Sequence, residues 1–498
     1  MSLSRLLVSH ITVFFVCLVF LYSVSADTTE NNLLNLSLSE AVQLALTQSI
    51  ELQNDLLDLE ISRSSNRITR STYRPTLDLS TDSTYSDPHG GDDSLDHQVS
   101  ARVNQHFAST GTSLTLQSTL NKYDDDDHNF DTSSVTTSLP SAESGQYANT
   151  MGLTLTQPLL RDLGPWADLN TVRKADLTLE NAVYNHQLTQ RNLVLRVISS
   201  YFTSLKQQKL VEVAEKSVED ANRHLSNTQI KMEEGLVALM DVSQAELQLA
   251  RQQTSLIRSR QSVATSMDGL KLILNLPLST SLVLTEEVEN LWEPLDDPAL
   301  IQEALDNRLE IKTLANQIQS AEYSLSQSQN QRLPALDLVL NAEVTHRDDD
   351  VSNVFKLEDE DYNVSMGFSW TFGDESNREN WLQSKIRLQK LQNEMIRERQ
   401  SIEKEVLDQI RNYRALVEAL KVSDKSVKIA EKALELATTS YREGLTSNLD
   451  LIKAQDDLTD ARNGYYTELM NLAVAKATIL NTIGREIDPD DLVINHEQ

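Results

Sequence analysis

Two stretches of this sequence are nearly the same: KMEEGLVALMD at 231–241 and YREGLTSNLD at 441–450. Glu-Gly-Leu occurs in both, and Asp241 and Asp450 each follow six residues after the glycine of that motif. A second motif, Pro-x-Leu-Asp-Leu, also occurs twice, once from Pro75 and once from Pro334. A pattern that recurs in the same order predicts two similar structural units in one chain.

The N-terminus has the features of a secretory signal peptide. Arg5 precedes an apolar stretch at 11–24, and Val24-Ser25-Ala26 is a small-residue cleavage site. The alternative, a membrane anchor, is disfavoured because the stretch is short and ends in that site. The only cysteine, Cys17, lies inside the stretch. The predicted organisation is a signal peptide at 1–26, a first repeat at 27–292, a second repeat at 293–488 and a C-terminal tail at 489–498.

Composition narrows the class of protein. The net charge of −30 argues against nucleic-acid binding, which requires a basic surface. Only 13 glycines and 10 prolines punctuate 498 residues, which predicts long uninterrupted helices. After the signal peptide, no apolar run approaches the roughly 20 residues that a membrane helix needs. If the chain enters a membrane, it must therefore do so as strands of a closed barrel.

Apolar residues spaced three and four apart predict a mainly helical fold with the same plan in each repeat. A helix opens the repeat, a long helix of about 100 Å follows the strands, and a returning helix begins after the Glu-Gly-Leu turn. The glycine of each turn suits a left-handed helix cap. The helices expected in the first repeat are 37–72, 166–233 and 241–274, and those in the second are 298–331, 377–443 and 447–483.

Between the opening and long helices, the apolar period changes to two. Such alternation predicts a pair of amphipathic strands in each repeat, and an extra hairpin at 98–120 in the first. The strand at 362–372 carries four aromatic residues, as lipid-facing strands do: Tyr362, Phe368, Trp370 and Phe372. An ordinary soluble sheet with one buried face is the alternative. Two strand pairs in one chain cannot close a membrane barrel, so the strands are either shared among subunits or not in a membrane.

Catalytic and metal-binding patterns are absent from the sequence. There is no glycine-rich phosphate loop, no G-x-S-x-G and no H-E-x-x-H, so we expect no enzyme activity, cofactor or metal. His89, His97 and His128 lie among acidic residues but lack the spacing of metal ligands.

The order and duplication of these features resemble the TolC-type outer-membrane efflux proteins, from about Leu36 to Gly484. Thr-Gln-Pro-Leu-Leu at 156–160 and the paired Glu-Gly-Leu turns add to the likeness. The resemblance implies a homotrimer with four strands per subunit in one 12-stranded barrel. It also implies a trimeric α-barrel that crosses the periplasm of a Gram-negative bacterium as an exit duct for an inner-membrane pump and a periplasmic adaptor.

The resemblance places functional residues at the helix-hairpin tips. Gly235, Leu236, Gly444 and Leu445 would form the adaptor-docking surface, although both glycines are equally explained as helix caps. Asp241 and Asp450 would form carboxylate rings at the periplasmic entrance, or would only complement the positive ends of their helices.

The function expected from this plan is a passive outer-membrane channel of a tripartite efflux or type I secretion system. The alternative from another class is a secreted or periplasmic coiled-coil scaffold without a pore. Drugs, metal ions and secreted proteins all remain open as substrates.

Overall fold

A computed structural model of the chain describes residues 33–86, 94–125, 147–166, 168–286, 288, 295–356 and 360–492. The predicted signal peptide lies outside the described residues. So do His89, His128 and most of the acidic residues in the loops that join the strands.

Each repeat opens with two helices where one was predicted. In the first repeat, β1 (Leu33–Leu36) precedes α1 (Leu38–Gln48) and α2 (Ile50–Ser71). The single helix predicted at 37–72 is wrong because Ser49 has an extended backbone, with ψ at 120°, and its side chain caps α2 by accepting the Leu52 N–H at 3.4 Å.

The opening of the second repeat has the same form. The strand β6 (Ser281–Leu284) lies within the residues predicted as the first repeat, but it precedes α5 (Asp297–Asn307) and α6 (Leu309–Asn330) as β1 precedes α1 and α2. Arg308 interrupts the helix predicted at 298–331, with ψ at 125°. Its guanidinium bonds to the carboxylates of Glu310 and Glu405, which offsets the lost helical hydrogen bonds. The strands β1 and β6 pair in parallel, so the two repeats are joined where each begins.

The predicted long helical hairpins are confirmed. They consist of α3 (Asp168–Glu233) with α4 (Leu239–Ile273), and of α7 (Glu375–Arg442) with α8 (Asn448–Thr482). The long helices have 66 and 68 residues, and both returning helices have 35. At 1.5 Å per residue, each long helix is about 100 Å long.

The other six described strands form one antiparallel sheet, in the order β2-β3-β4-β5-β7-β8. This sheet has two strands more than the four per subunit that the resemblance implies, because the extra hairpin predicted at 98–120 pairs within it. The strands are β2 (Thr76–Ser86), β3 (Ser94–Phe107), β4 (Thr112–Asp125), β5 (Tyr147–Pro158), β7 (Ala335–Asp348) and β8 (Glu360–Ser369).

The helices pack around two hydrophobic clusters: the first joins residues of the first repeat to α8 and the segment after it, and the second lies within the second repeat. Tyr201 lies fully buried in the first cluster, where its hydroxyl donates to the Leu36 carbonyl at 2.9 Å. Tyr413 occupies the corresponding place in the second cluster on α7. A 3-10 helix at Pro489–Leu492 belongs to the residues predicted as a tail, and Leu492 is buried in the first cluster.

Candidate functional site

The two hairpin tips have the same backbone geometry. Gly235 and Gly444 have φ angles of 74° and 76°, in the left-handed region that side chains disfavour. The Leu236 N–H donates to the Lys231 carbonyl at 2.8 Å, and the Leu445 N–H makes a bond of the same length to its own helix. This is the Schellman pattern of helix termination, so both glycines are caps. A Cβ on either glycine would meet no atom within 4 Å, which leaves the backbone angle as the only obstacle to substitution.

The tips expose apolar side chains to solvent. Leu236 is 68% exposed and Leu445 is 76% exposed, although leucine is among the most frequently buried residue types. Three neighbours on the first turns of the returning helices are also exposed: Leu239, Met240 and Leu449. The two tips therefore present an apolar surface, which we call the tip surface and define by these five residues. Exposed apolar patches of this kind mark sites of protein contact.

The two aspartates predicted at the periplasmic entrance, Asp241 and Asp450, lie at the N-termini of returning helices. The Asp450 carboxylate accepts hydrogen bonds from the Ser447 N–H at 3.2 Å, the Ser447 hydroxyl at 2.6 Å and the Thr446 hydroxyl at 3.0 Å. The Asp241 carboxylate accepts the Ala238 N–H at 3.1 Å. Each aspartate thus stabilises its helix end, as the helix-end interpretation requires. The other interpretation, a carboxylate ring at the entrance, needs several copies of the chain.

The Asp450 contacts hold its pKa below the usual range, chiefly through the Ser447 hydroxyl and then the Thr446 hydroxyl. Because the folded state favours the ionised carboxylate, the cap is fully formed above the unfolded pKa of the group and is lost as the pH falls through the lowered value. Asp450 is therefore charged at neutral pH, whichever role it has.

A buried polar cluster joins the two hairpins just behind the tips. His224 Nε2 lies 2.5 Å from Asn448 Oδ1, and the Asn448 amide donates to the Asp241 carbonyl at 3.0 Å. Lys231 Nζ donates to the Tyr441 carbonyl at 3.0 Å and lies 4.1 Å from the centre of that ring. The cluster, which we call the tip cluster, connects α3 of the first repeat to α7 and α8 of the second.

The tip cluster was not predicted from the sequence. His224, Thr228 and Lys231 are spaced four and three apart, and they continue the inward face of α3 with polar residues in place of apolar ones. Thr228 is fully buried and lies 3.4 Å from the Tyr441 hydroxyl. Polar residues at core positions of a helix could have been the signal, since they require partners on a facing helix.

Acidification should loosen the tips. Burial lowers the pKa of His224, and the nearby charge of Lys231 lowers it further, while Asn448 opposes the shift. The neutral ring stabilises the folded tip fully above its ordinary value of 6.5, and this stability is lost as the pH falls below it. We expect amide exchange at 233–241 and 443–450, corrected for intrinsic rates, to be several-fold faster at pH 5.5 than at pH 7.5.

His224→Gln keeps an N–H donor for Asn448 but does not titrate, so this variant should lose the pH dependence. His186→Gln, a change on the same helix beside Asp55, is the matched control and should retain it. Equal pH dependence in all three proteins would contradict a role for His224.

Aromatic residues lie along the last strand of the sheet and just beyond it. Tyr362 and Phe368 are on β8, 73% and 64% exposed. Trp370 and Phe372 were predicted in the same strand, but β8 ends at Ser369, so they lie in the segment that leads to α7. Their ring centroids are 4.4 Å apart. The segment between β8 and α7 therefore exposes two aromatic side chains at the end of the sheet that adjoins the helices.

No group of three metal-binding side chains occurs in the described part of the chain. Of the three histidines singled out in the sequence, His97 alone is described, and its Nδ1 lies 2.7 Å from the Ser83 hydroxyl. The absence of a metal or cofactor stays a prediction. Over the same described ranges, no helix combines the length and the apolar character that a membrane crossing would need.

Two relatives have similar sequences. The chain is 25% identical to the outer membrane protein TolC of Escherichia coli over 198 residues, which are 40% of this chain and 39% of that protein. It is 22% identical to the TolC of Vibrio cholerae over 335 residues, which are 66% of this chain and 75% of that protein.

Solved structures match over a larger share of the chain. The outer membrane protein VceC of Vibrio cholerae has a TM-score of 0.68 at 15% identity, covering 91% of this chain and 97% of that one. The CmeC outer membrane channel of Campylobacter jejuni has a TM-score of 0.66 at 15% identity, covering 91% and 87%. These likenesses confirm the fold class: mainly helical, with a small sheet.

The match to a protein family covers both repeats, at residues 41–276 and 300–485, and the family is that of the outer membrane efflux proteins. The predicted resemblance and the predicted location in the outer membrane of a Gram-negative bacterium are thereby confirmed. The chain belongs to the outer membrane efflux protein family.

Proposed function

We propose that three copies of this chain form the exit duct of a tripartite efflux or type I secretion system. The observation that carries the proposal is the pairing of two elements in one chain. A sheet with an exposed apolar face joins directly to helical hairpins about 100 Å long, more than three times the thickness of a bilayer core. Such a molecule can line a passage through a membrane and continue it on one side.

The sheet supports assembly with other copies. Its outer strands, β2 and β8, each have one edge without a partner among the described strands. An open edge leaves backbone N–H and C=O groups unpaired, which is unfavourable in a membrane. Closure into a ring removes both edges. Cyclic symmetry would let β8 of one copy pair with β2 of the next.

The tip surface is the proposed docking site for a periplasmic adaptor protein, which an inner-membrane pump would drive. Leu236 and Leu445 lie at equivalent places in the two repeats, so a trimer presents six similar tips in a ring. An adaptor with apolar sockets at the same spacing would bury them.

Asp241 and Asp450 are proposed to form the narrow periplasmic entrance. Both carboxylates stand at the start of a returning helix beside a tip, and three-fold symmetry repeats each of them around one axis. A ring of like charges in a constriction attracts cations and retains divalent ions. The same carboxylates cap their helices, so the two roles coexist.

The duct itself is proposed to be passive, with no enzyme activity. Drugs, metal ions or secreted proteins could all pass through the same duct. The pump and the adaptor would determine which of these substrates is exported. The lack of histidine or methionine clusters in the sequence weighs against a duct dedicated to metal ions.

The purified protein is expected to be a trimer that forms a water-filled pore. The test is mass measurement in detergent, followed by conductance in a planar bilayer, with membrane fractionation as a control for location. A coiled-coil scaffold without a pore would give no conductance and would not be found in the outer membrane. A detergent-solubilised monomer that conducts no current would refute the proposed function.

A further inference from the structure

The hairpin of β3 and β4 is paired along its length on both sides. β2 pairs with β3 from Thr76 opposite Asn104 to Ser86 opposite Ser94. On the other side, β4 pairs with β5 from Ser113 opposite Thr156 to Lys122 opposite Tyr147. The hairpin therefore separates β2 from β5 throughout the sheet and is not an appendage at one end.

At one level, the apolar face of the sheet continues across the hairpin. One row of directly opposed residues crosses all six strands: Leu77, Val103, Leu116, Leu153, Ala342 and Tyr362. Leu116, the residue that β4 contributes to this row, is 46% exposed. A hairpin standing in water would have no use for this row, whereas a strand in a membrane wall needs apolar residues at the same level as its neighbours.

The opposite face is polar and is hydrogen-bonded across the strands. The hydroxyls of Ser80 and Ser100 lie 2.8 Å apart, and Arg102 donates to the Gln117 side chain at 2.9 Å. A row of hydroxyl residues crosses five strands at one level: Ser80, Ser100, Thr119, Thr150 and Thr345. A water-filled lumen requires a face of this kind.

The turn of the hairpin is fixed to the base of the sheet, next to the start of α3. The Gly164 N–H donates to the Thr110 carbonyl at 3.2 Å, and His106 Nε2 lies 2.7 Å from Asp168 Oδ2. Gly111 has a φ of 75°, and a Cβ there would lie 2.2 Å from the Asp162 carbonyl oxygen. The turn of the hairpin is thus held at the end of the sheet that adjoins the helices, and β3 and β4 extend from there alongside the other strands.

We propose that β3 and β4 are part of the channel wall, so that the trimer closes a ring of 18 strands. This inference rests on the proposed trimeric duct. Six strands are fewer than the eight of the smallest membrane barrels, so one copy cannot close alone. β2 runs away from the helices and β8 returns to them, so contact between β8 of one copy and β2 of the next keeps the ring antiparallel.

The consequence is a wider opening. The diameter of a barrel grows roughly linearly with strand number, so 18 strands give a ring about 1.5 times as wide as 12. Barrels of about 16 to 18 strands leave an aqueous channel. The outer-membrane section therefore passes larger cargo than a 12-stranded ring would, and selection by size falls to the helical section and its entrance.

Cysteine pairs on the polar face test the order of the strands. Cys17, inside the predicted signal peptide, is the only cysteine, so the background is clean. Directly opposed residues of an antiparallel pair have Cα atoms about 4.5 to 5.5 Å apart, within the range of a disulfide. Under mild oxidation in outer-membrane preparations, Ser80→Cys/Ser100→Cys and Thr119→Cys/Thr150→Cys should each form a disulfide within the chain.

Ser80→Cys/Thr150→Cys is the matched negative pair. In the 18-stranded ring, two strands separate these residues, so their distance is about 14 Å and no disulfide should form. In a ring from which the hairpin is excluded, β2 would adjoin β5, and a Ser80→Cys/Thr150→Cys disulfide would overturn the proposal. Failure of the Ser80→Cys/Ser100→Cys pair in an assembled trimer would overturn it as well.

Contact between copies is tested with Ser80→Cys combined in turn with cysteine at Asn363, Ser365 or Gly367 on β8. At least one combination should give covalently linked trimers. Electron microscopy of the detergent-solubilised trimer gives an independent measurement, because the ring should be about 1.5 times as wide as one of 12 strands. A ring of 12-strand width would overturn the proposal whatever the cysteine variants show.

The outcomes separate this inference from the proposed function. A monomer without conductance overturns both. A conducting trimer with a Ser80→Cys/Thr150→Cys disulfide, or with the narrow ring, overturns only the count of 18.

Discussion

Replacing Leu236 and Leu445 together with aspartate is expected to abolish adaptor docking and reduce export at least tenfold, while the trimer still assembles. Each leucine that is buried on docking contributes about 2 kcal/mol. Losing both would lower the docking equilibrium constant about a thousandfold per subunit. Both side chains are exposed and make no core contact in the chain, so folding should not depend on them. Export assays and crosslinking to the adaptor measure the effect.

The glycines of the tips provide the comparison that separates docking from helix capping. Gly444→Asn tolerates the left-handed backbone better than other residues and should leave export nearly normal. Gly444→Glu adds both strain and a charge, and it should block docking with a normal amount of trimer. Normal export by Gly444→Glu would favour the cap as the only role of this residue, and the same comparison applies to Gly235. Normal export by the double leucine variant would refute the docking surface.

Converting Asp241 and Asp450 to asparagine should remove divalent-cation block and weaken cation selectivity in single-channel recordings. Each carboxylate is repeated three times in the proposed trimer, so the double variant removes six negative charges from the entrance. Asparagine retains an oxygen that can accept the backbone N–H at 3.1 Å from Asp241 and at 3.2 Å from Asp450. The loss from the helix ends is therefore limited to the interaction of the negative charge with the helix dipole.

Asp457→Asn on α8 is the matched control, since it removes a charge from the same helix two turns beyond the entrance. It should leave divalent block intact. Unchanged selectivity and unchanged block in the double variant would exclude the entrance role and leave the aspartates as helix caps alone. A small stability loss with a normal pore is the signature of that outcome.

Several features of the fold were predictable from the chain alone because they depend on local pattern. Helical periodicity predicted both long hairpins to within about two residues, and the Glu-Gly-Leu repeat predicted both tips. Alternation of apolar and polar residues predicted the strands, including the hairpin at 98–120, because successive side chains of a strand lie on opposite faces of the sheet. The breaks at Ser49 and Arg308 were missed, since a single residue changes the backbone there while the apolar pattern continues.

Tertiary structure decided the features that depend on which elements meet. The sequence predicted a hairpin at 98–120, but only the pairing of β3 with β2 and of β4 with β5 made it part of a six-stranded sheet. The tip cluster likewise could not be predicted from the sequence, since His224 and Asn448 are 224 residues apart and become partners only when the two repeats pack together. Local periodicity reports the environment of a residue, whereas the identity of its partner is decided by packing over the whole chain.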